Sequence, residues 1–255
     1  MKKYIVLIAG ETFEMKAIIP AAGYATRMWP LTKDKPKALL EMAGRKVLDY
    51  VVEKVSKVKN IDEIIVVSNS KYFHLFEAWE HLSDLGVQVS VLDDGTSSEE
   101  DRLGAVGDVV FALRERKINE DILIVFGDNL FSFDLEKFAT GSGNVVGLFD
   151  VKDLRIARQM GTPTLNDKKI VKFVEKDETA ECSLCSTGVY YFSKENLKWF
   201  FDYLAGGNNA DRFGDFISWL CSRTEVNGYI FPSEDYWFDI GSIESYQKAN
   251  EFLRN

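Results

Sequence analysis

Short apolar runs alternate along this chain with segments whose apolar positions recur every three to four residues. Lys16–Pro20 (K-A-I-I-P) reads as a buried strand, and Ala21–Lys35 after it as a turn region. In Lys46–Lys59, Val47, Val51 and Val55 form one row and Leu48 and Val52 the next, the stripe of a helix packed on one side. Glu63–Val67 is a β-branched strand, Tyr72–Leu85 a helix, Val87–Leu92 an alternating strand, Leu103–Arg114 a helix and Ile122–Phe126 an apolar strand. Further strands are expected at Asn144–Phe149, Ile170–Val174, Gly188–Phe192 and Val226–Phe231, and helices at Lys194–Leu204, Phe213–Ser222 and Ser242–Leu253. The β-α alternation of the first half implies a largely parallel sheet with helices on both faces. The second half carries more strands per helix, so an antiparallel addition is expected there. Asp94–Asp101 and Gly141–Asn144 read as loops, not hinges, and the chain as one domain.

The first residues change this picture slightly. Ile5–Gly10 and Ala17–Gly23 are two strand-then-glycine segments in succession, so residues 1–14 read as an N-terminal extension ahead of a domain over residues 15–255: either the first segment is an extra edge strand, or the functional chain effectively starts at Met15. The opening M-K-K-Y-I-V-L-I-A-G imitates a secretory signal, but Glu11 and Glu14 stand where a cleavage site needs small residues, and a buried strand is the simpler reading. A cytoplasmic location is expected.

Composition then narrows the function classes. Of 255 residues, 31 are basic and 40 acidic, a net charge of −9, and this argues against nucleic acid or an anionic membrane as partner. No stretch approaches the roughly 20 apolar residues of a membrane span. Three cysteines are too few for a disulfide scaffold. Cys182 and Cys185 have zinc spacing, but zinc wants four ligands, and beyond them only Cys221, His74 and His81 remain, so a structural role is expected.

The densest chemistry lies in Pro20–Leu39, P-A-A-G-Y-A-T-R-M-W-P-L-T-K-D-K-P-K-A-L. A buried strand ends in small residues (Ala21, Ala22, Gly23, Ala25), which lets backbone amides approach a ligand. Arg27 and Lys37 follow, with two prolines between them to stiffen the connection. Backbone donors and two fixed cations suit a triphosphate. The loop is neither a Walker A loop nor G-x-G-x-x-G. Two acids stand apart from it. Asp128 follows the strand Ile122–Phe126, where a parallel sheet opens its ligand crevice, and its alternative is an ordinary turn aspartate. Asp239 sits between Tyr236, Trp237, Phe238 and a glycine, where a carboxylate needs a partner such as magnesium, its alternative being a helix N-cap.

The loop resembles the signature G-x-G-T/S-R-x-x-P-L-T-x-x-x-P-K of the sugar-1-phosphate nucleotidylyltransferases, and later motifs follow in family order from Met15 almost to the C-terminus. Leu103–Gly107 (L-G-A-V-G) resembles the glycine segment at the base, Gly127–Asn129 (G-D-N) the metal-binding turn, Glu175–Lys176 the sugar-phosphate pair, Thr187–Gly188 the T-G before a sugar-side strand, and Trp237–Gly241 (W-F-D-I-G) the W-x-D-x-G bearing the second metal carboxylate. G-D-N-L-F points most toward glucose-1-phosphate thymidylyltransferases. The resemblance implies a single-domain α/β/α sandwich, Rossmann-like, with a mostly parallel mixed sheet. It implies nucleotide contacts from Ala22, Gly23, Ala25, Thr26, Arg27 and Gly104, and sugar-phosphate contacts from Gly161, Glu175, Lys176 and Thr187. Arg27, Lys37 and Lys176 would be catalytic, and Asp128 and Asp239 would hold Mg2+.

The implied reaction joins an NTP and a sugar 1-phosphate into an NDP-sugar and pyrophosphate, in a chain that could assemble as a homo-oligomer. Departures are Ala25 for the second glycine, Ser186 where an Asn often sits, and Asp177 for the proline after E-K; they bear on sugar identity. No base-reading glutamine is assigned, and Glu99 lies near its expected spacing. Trp29 either stacks on a base or packs. The rivals are a GT-A glycosyltransferase, disfavoured because G-D-N lacks an Asp-x-Asp, a cytidylyltransferase for a non-sugar phosphate such as phosphocholine, and a non-catalytic nucleotide-sugar-binding regulator, which would be expected to have lost an acid or a cation. The chain ends soon after the helix that follows W-F-D-I-G, so no C-terminal repeat domain is expected.

Overall fold

The structure is a computed structural model describing residues 14–81, 87–139 and 142–254. The strand expected at Ile5–Gly10, and the end of the helix expected at Tyr72–Leu85, lie outside the described residues. The chain opens with β1 (Met15–Pro20), a hairpin of β2 (Glu41–Met42) and β3 (Arg45–Lys46), α1 (Val47–Val55), β4 (Ile61–Ser68), α2 (Phe73–Glu80), β5 (Gln88–Asp93), α3 (Ala105–Glu115) and β6 (Asp121–Val125). It continues through β7 (Asn129–Phe131), β8 (Asn144–Asp150), α4 (Leu154–Ala157), β9 (Gly161–Asn166), β10 (Lys169–Glu175), β11 (Leu184–Phe192), α5 (Lys198–Ala205), α6 (Phe213–Cys221), β12 (Asn227–Ile230), β13 (Trp237–Asp239) and α7 (Ile243–Arg254).

Nine strands form one sheet in the order β5-β4-β1-β6-β11-β8-β12-β10-β9. The first four run parallel, with Ile18 opposite Ile65 on one side and Ile124 on the other. β11 then enters antiparallel to both β6 and β8, placing Tyr190 between Ile124 and Val146. The expected mostly parallel mixed sheet is present, and its antiparallel additions fall in the second half of the chain.

Strand alternation sends neighbouring side chains to opposite layers. Met15, Ala17 and Ile19 join the cluster that α1 and α2 cover, whereas Ile18 joins the one that α3, α5 and α6 cover. A third, smaller cluster (Met28, Leu40, Met42, Val47, Leu130, Ile240 and Ala249) ties α7 to the loop after β1 and to β7. Several elements were not read from the pattern. β7 and β13 are three residues each, and β9 (G-T-P-T-L-N) is polar and holds a proline, so neither length nor alternation marks them. The expected helix Lys46–Lys59 begins after Lys46, whose backbone N–H donates to Asp49 Oδ2 at 2.8 Å, and ends at Val55. Among the described residues no helix is long and apolar enough to cross a membrane.

Candidate active site

Strand β1 delivers the small-residue loop to the carboxyl edge of the parallel strands. There the Ala21 N–H donates to the Val67 carbonyl at 2.9 Å, and the Asn69 amide donates to the Ala22 carbonyl at 2.5 Å. Ala25 takes a left-handed backbone (φ 49°), the conformation a glycine would hold freely, and its carbonyl accepts from the Thr32 hydroxyl at 2.8 Å. A 3-10 turn over Thr26–Met28 then leaves Arg27 exposed and buries Met28 in the third cluster. Pro36 opens a second such turn, whose buried Ala38 and Leu39 anchor Lys37.

The two acids arrive from distant sequence positions through one short pairing. β7 and β13 are antiparallel, with Asp239 opposite Asn129, and the Ile240 N–H donates to the Asp128 carbonyl at 2.9 Å. Lys37 Nζ pairs with Asp128 Oδ2, and the Asn129 amide donates to Asp128 Oδ1 at 2.9 Å. Burial lifts the Asp239 carboxyl to about 6, and the neighbouring Asp128 charge adds to this against the pull of Lys37 and Arg27. Burial alone would depress the Lys37 ammonium, but the Asp128 and Asp239 charges outweigh it and raise its pKa. Asp239 lies in a strand and is not an N-cap: α7 begins later, where the Ser245 N–H donates to Ser242 Oγ at 3.1 Å.

Glycines make room for these groups. A Cβ at Gly188 (φ 74°) would stand 2.8 Å from the Asn129 amide nitrogen, and one at Gly241 would stand 2.9 Å from Asp239 Oδ2. The W-x-D-x-G segment therefore serves three purposes here. Trp237 Nε1 donates to Asn129 Oδ1 at 2.8 Å, Asp239 supplies the acid, and Gly241 leaves it space.

One cleft of about 1510 Å³ joins these groups to the remaining expectations. Ala22, Gly23, Ala25, Thr26, Arg27, Lys37 and Gly104 line it together with Asp128 and Asp239, and so do Gly161, Glu175 and Lys176. Gly104 (φ 79°) opens α3 and packs so closely on the 210–211 backbone that a Cβ would stand 2.6 Å from Ala210 C. Gly161 opens β9 opposite Glu175, the last residue of β10, and Lys176 follows with a left-handed backbone (φ 58°). Burial pushes the Glu175 carboxyl above its usual range, against the pull of the Lys176 ammonium.

Thr187 is a correction. It is fully buried, its hydroxyl donates to the Gly147 carbonyl at 3.0 Å, and it does not line the cleft. The reason is strand alternation: along β11 the cleft takes Ser186, Gly188 and Tyr190, and Thr187 faces the other way. Trp29 is 51% exposed and neither joins a core cluster nor lines the cleft. Cys182 is exposed and Cys185 buried in β11, its thiol pushed up to about 12 by burial.

Sequence reasoning also passed over residues that the cleft brings in. Asp94 and Asp108 line it and are buried; Asp94 Oδ2 and Asp108 Oδ1 have no hydrogen-bond partner, and burial together with the Asp94 charge pushes the Asp108 carboxyl well up. The first sits where β5 runs into a loop and the second inside a helical stripe, where neither stands out. Phe126, Tyr190 and Phe213 line the cleft as well, with ring centroids 4.4 Å apart for Tyr190–Phe213 and 5.5 Å for Phe126–Phe213. Ser186 Oγ and the Tyr190 hydroxyl are 2.9 Å apart.

The family described as Nucleotidyl transferase matches residues 16–255. A curated relative from Sulfolobus acidocaldarius, named "Putative mannose-1-phosphate guanyltransferase", is 28% identical over 242 residues, covering 92% of this chain and 62% of its own length. The "Bifunctional protein GlmU" of Methanocaldococcus jannaschii is 26% identical, over 94% of this chain and 54% of its own. The chain thus spans little more than half the length of these relatives. Among solved structures, a UDP-glucose pyrophosphorylase complexed with UDP-glucose matches with a TM-score of 0.78 at 21% identity, over 94% of this chain and 98% of that one. A putative glucose-1-phosphate thymidylyltransferase from Bacillus anthracis matches with 0.77 at 22%, over 94% and 96%. At these identities the structural likeness carries the fold.

Proposed function

The chain belongs to the Nucleotidyl transferase family, and we propose that it joins a nucleoside triphosphate to a sugar 1-phosphate, releasing an NDP-sugar and pyrophosphate. One observation carries this reading. Two cations and two acids from three separate segments (Arg27 and Lys37, Asp128, and Asp239) line the same cleft as the Glu175–Lys176 pair.

Both reactants are polyanions, so alignment and charge neutralisation are the main tasks. The amides of Ala22–Thr26 and the Arg27 guanidinium would hold the β- and γ-phosphates and the charge that builds on departing pyrophosphate. Lys37 would bridge phosphate oxygens near the α-phosphorus. Lys176 would steer the sugar phosphate, one oxygen of which attacks the α-phosphorus in line, forming a P–O bond as the bond to pyrophosphate breaks. Glu175 would accept from sugar hydroxyls.

The acids suit a hard divalent cation. Magnesium favours one or two carboxylates with phosphate oxygens and water, and the burial that lifts Asp239, together with the Asp128 charge beside it, is the kind of penalty a bound cation relieves. Asp128 and Asp239 would hold Mg2+, which when bound supplies positive charge to the phosphates. The Trp237–Asn129 bond would keep Asp128 aimed.

Pyrophosphate release, measured for ATP, CTP, GTP, UTP and dTTP against several sugar 1-phosphates with Mg2+, tests the proposal. Release dependent on both substrates is the expected result. Binding without release from any pair would instead mark a regulator, and turnover of phosphocholine alone would mark the non-sugar alternative.

A further inference from the structure

Glu175 is gripped from two sides by glycines that belong to different elements. Gly161 lies opposite it in the β9–β10 ladder, where an added Cβ would stand 2.9 Å from Glu175 Oε2. Gly214 comes from the first turn of α6, and there an added Cβ would stand 2.0 Å from the same oxygen. All three atoms nearest that Cβ belong to Glu175: Oε2, Cδ and Cβ. The carboxylate therefore rests against the bare backbone at the start of α6.

We propose that Gly214 is a positioning residue for sugar recognition: its missing side chain lets α6 hold the Glu175 carboxylate at the acceptor end of the cleft. This rests on the proposed function, in which that carboxylate accepts from sugar hydroxyls. The contacts decide which glycine reports on it. A methyl at Gly161 would strike the buried Phe173 ring at 2.6 Å and disturb the core. A methyl at Gly214 collides most closely with Glu175 Oε2, at 2.0 Å, and presses on Cδ and Cβ of the same residue at 3.0 and 3.2 Å, so the side chain that must move is Glu175 itself.

Gly214→Ala should raise KM for the sugar 1-phosphate by about 10-fold or more, the scale of losing a hydrogen bond to a charged group. KM for the nucleotide and kcat should change less than about threefold, a split that general loosening would not give. In a Glu175→Ala background the same substitution should leave the sugar KM unchanged, because the clashing carboxylate is gone. Should Gly214→Ala fail to fold alone, folding of the double variant supports the contact, and failure of both overturns it. Equal sugar KM in wild type and Gly214→Ala, with the wild type turning over, overturns this inference and leaves the proposed reaction standing. Absence of turnover in the wild type with every substrate pair overturns both.

Discussion

The indole Nε1–H of Trp237 donates to Oδ1 of Asn129 at 2.8 Å, and the amide so fixed donates onward to Asp128 at 2.9 Å. An aromatic residue on β13 thus orients, through Asn129, the acid that immediately precedes β7. In the proposed role of Asp128 as a cation ligand, a partner one step removed commonly carries about 10–100-fold in affinity or activity. Trp237→Phe keeps the ring and removes the donor. Its turnover should fall within that range while the melting temperature moves by only a few degrees, and turnover within twofold of wild type would reject the relay.

Arg27 and Asp239 both line the cleft, and in the proposed reaction both act on the charge of the reacting phosphates. Removing one preorganised electrostatic contact costs on the order of 10²–10³ in rate. Arg27→Ala and Asp239→Asn should each show that loss in steady-state pyrophosphate release, with far-UV circular dichroism unchanged. Near-normal turnover in either variant removes that residue from the assigned chemistry.

Ala25 holds a left-handed backbone at φ 49°. An L-residue there costs about 1–2 kcal/mol, whereas glycine adds about 0.4–1 kcal/mol of unfolded-state entropy. Ala25→Gly should therefore stabilise the protein by about 0.5–1 kcal/mol in urea titrations. A destabilised variant would show that the Ala25 methyl makes contacts worth more than the strain.

Asp108 is buried and its carboxyl is pushed well up, first by burial and then by the Asp94 and Asp211 charges. A folded-state value above the unfolded one means that the folded protein binds the extra proton. Its contribution to stability is complete below about pH 4, near the ordinary aspartate value, and is lost as pH rises through the folded value. Asp108→Asn should match wild type near pH 4 and exceed it at pH 7–8 by on the order of 1 kcal/mol or more, because an amide need not ionise. Parallel stability curves for the two proteins at all pH values would contradict the assignment.

Much of this was readable in advance, and the limits have physical causes. β1, β4 and β6 are long enough and apolar enough to declare themselves, and the parallel half of the sheet followed from them. Arg27, Lys37, Asp128 and Asp239 were legible because each lies in a local motif. Thr187 was misplaced because a motif names two adjacent residues while a strand shows only one of them to the cleft. The pairing of β7 with β13 was invisible, since six residues with 105 between the two strands leave no periodic trace. Asp94, Asp108 and Gly214 stayed hidden because their significance lies in what packs against them.

The third cluster has a consequence for how the molecule comes apart. Met28 from the Arg27 turn, Leu130 two residues after Asp128, Ile240 beside Asp239 and Ala249 of α7 share one small apolar nucleus, and Tyr246 and Asn250 fasten that helix to the β2–β3 hairpin. Fraying of the C-terminal helix would loosen the guanidinium turn and both carboxylates in a single event. Amide exchange should accordingly report residues 26–31, 128–131 and 237–253 as one cooperative unit, opening before the parallel strands and dismantling the proposed site while most of the sheet is still folded.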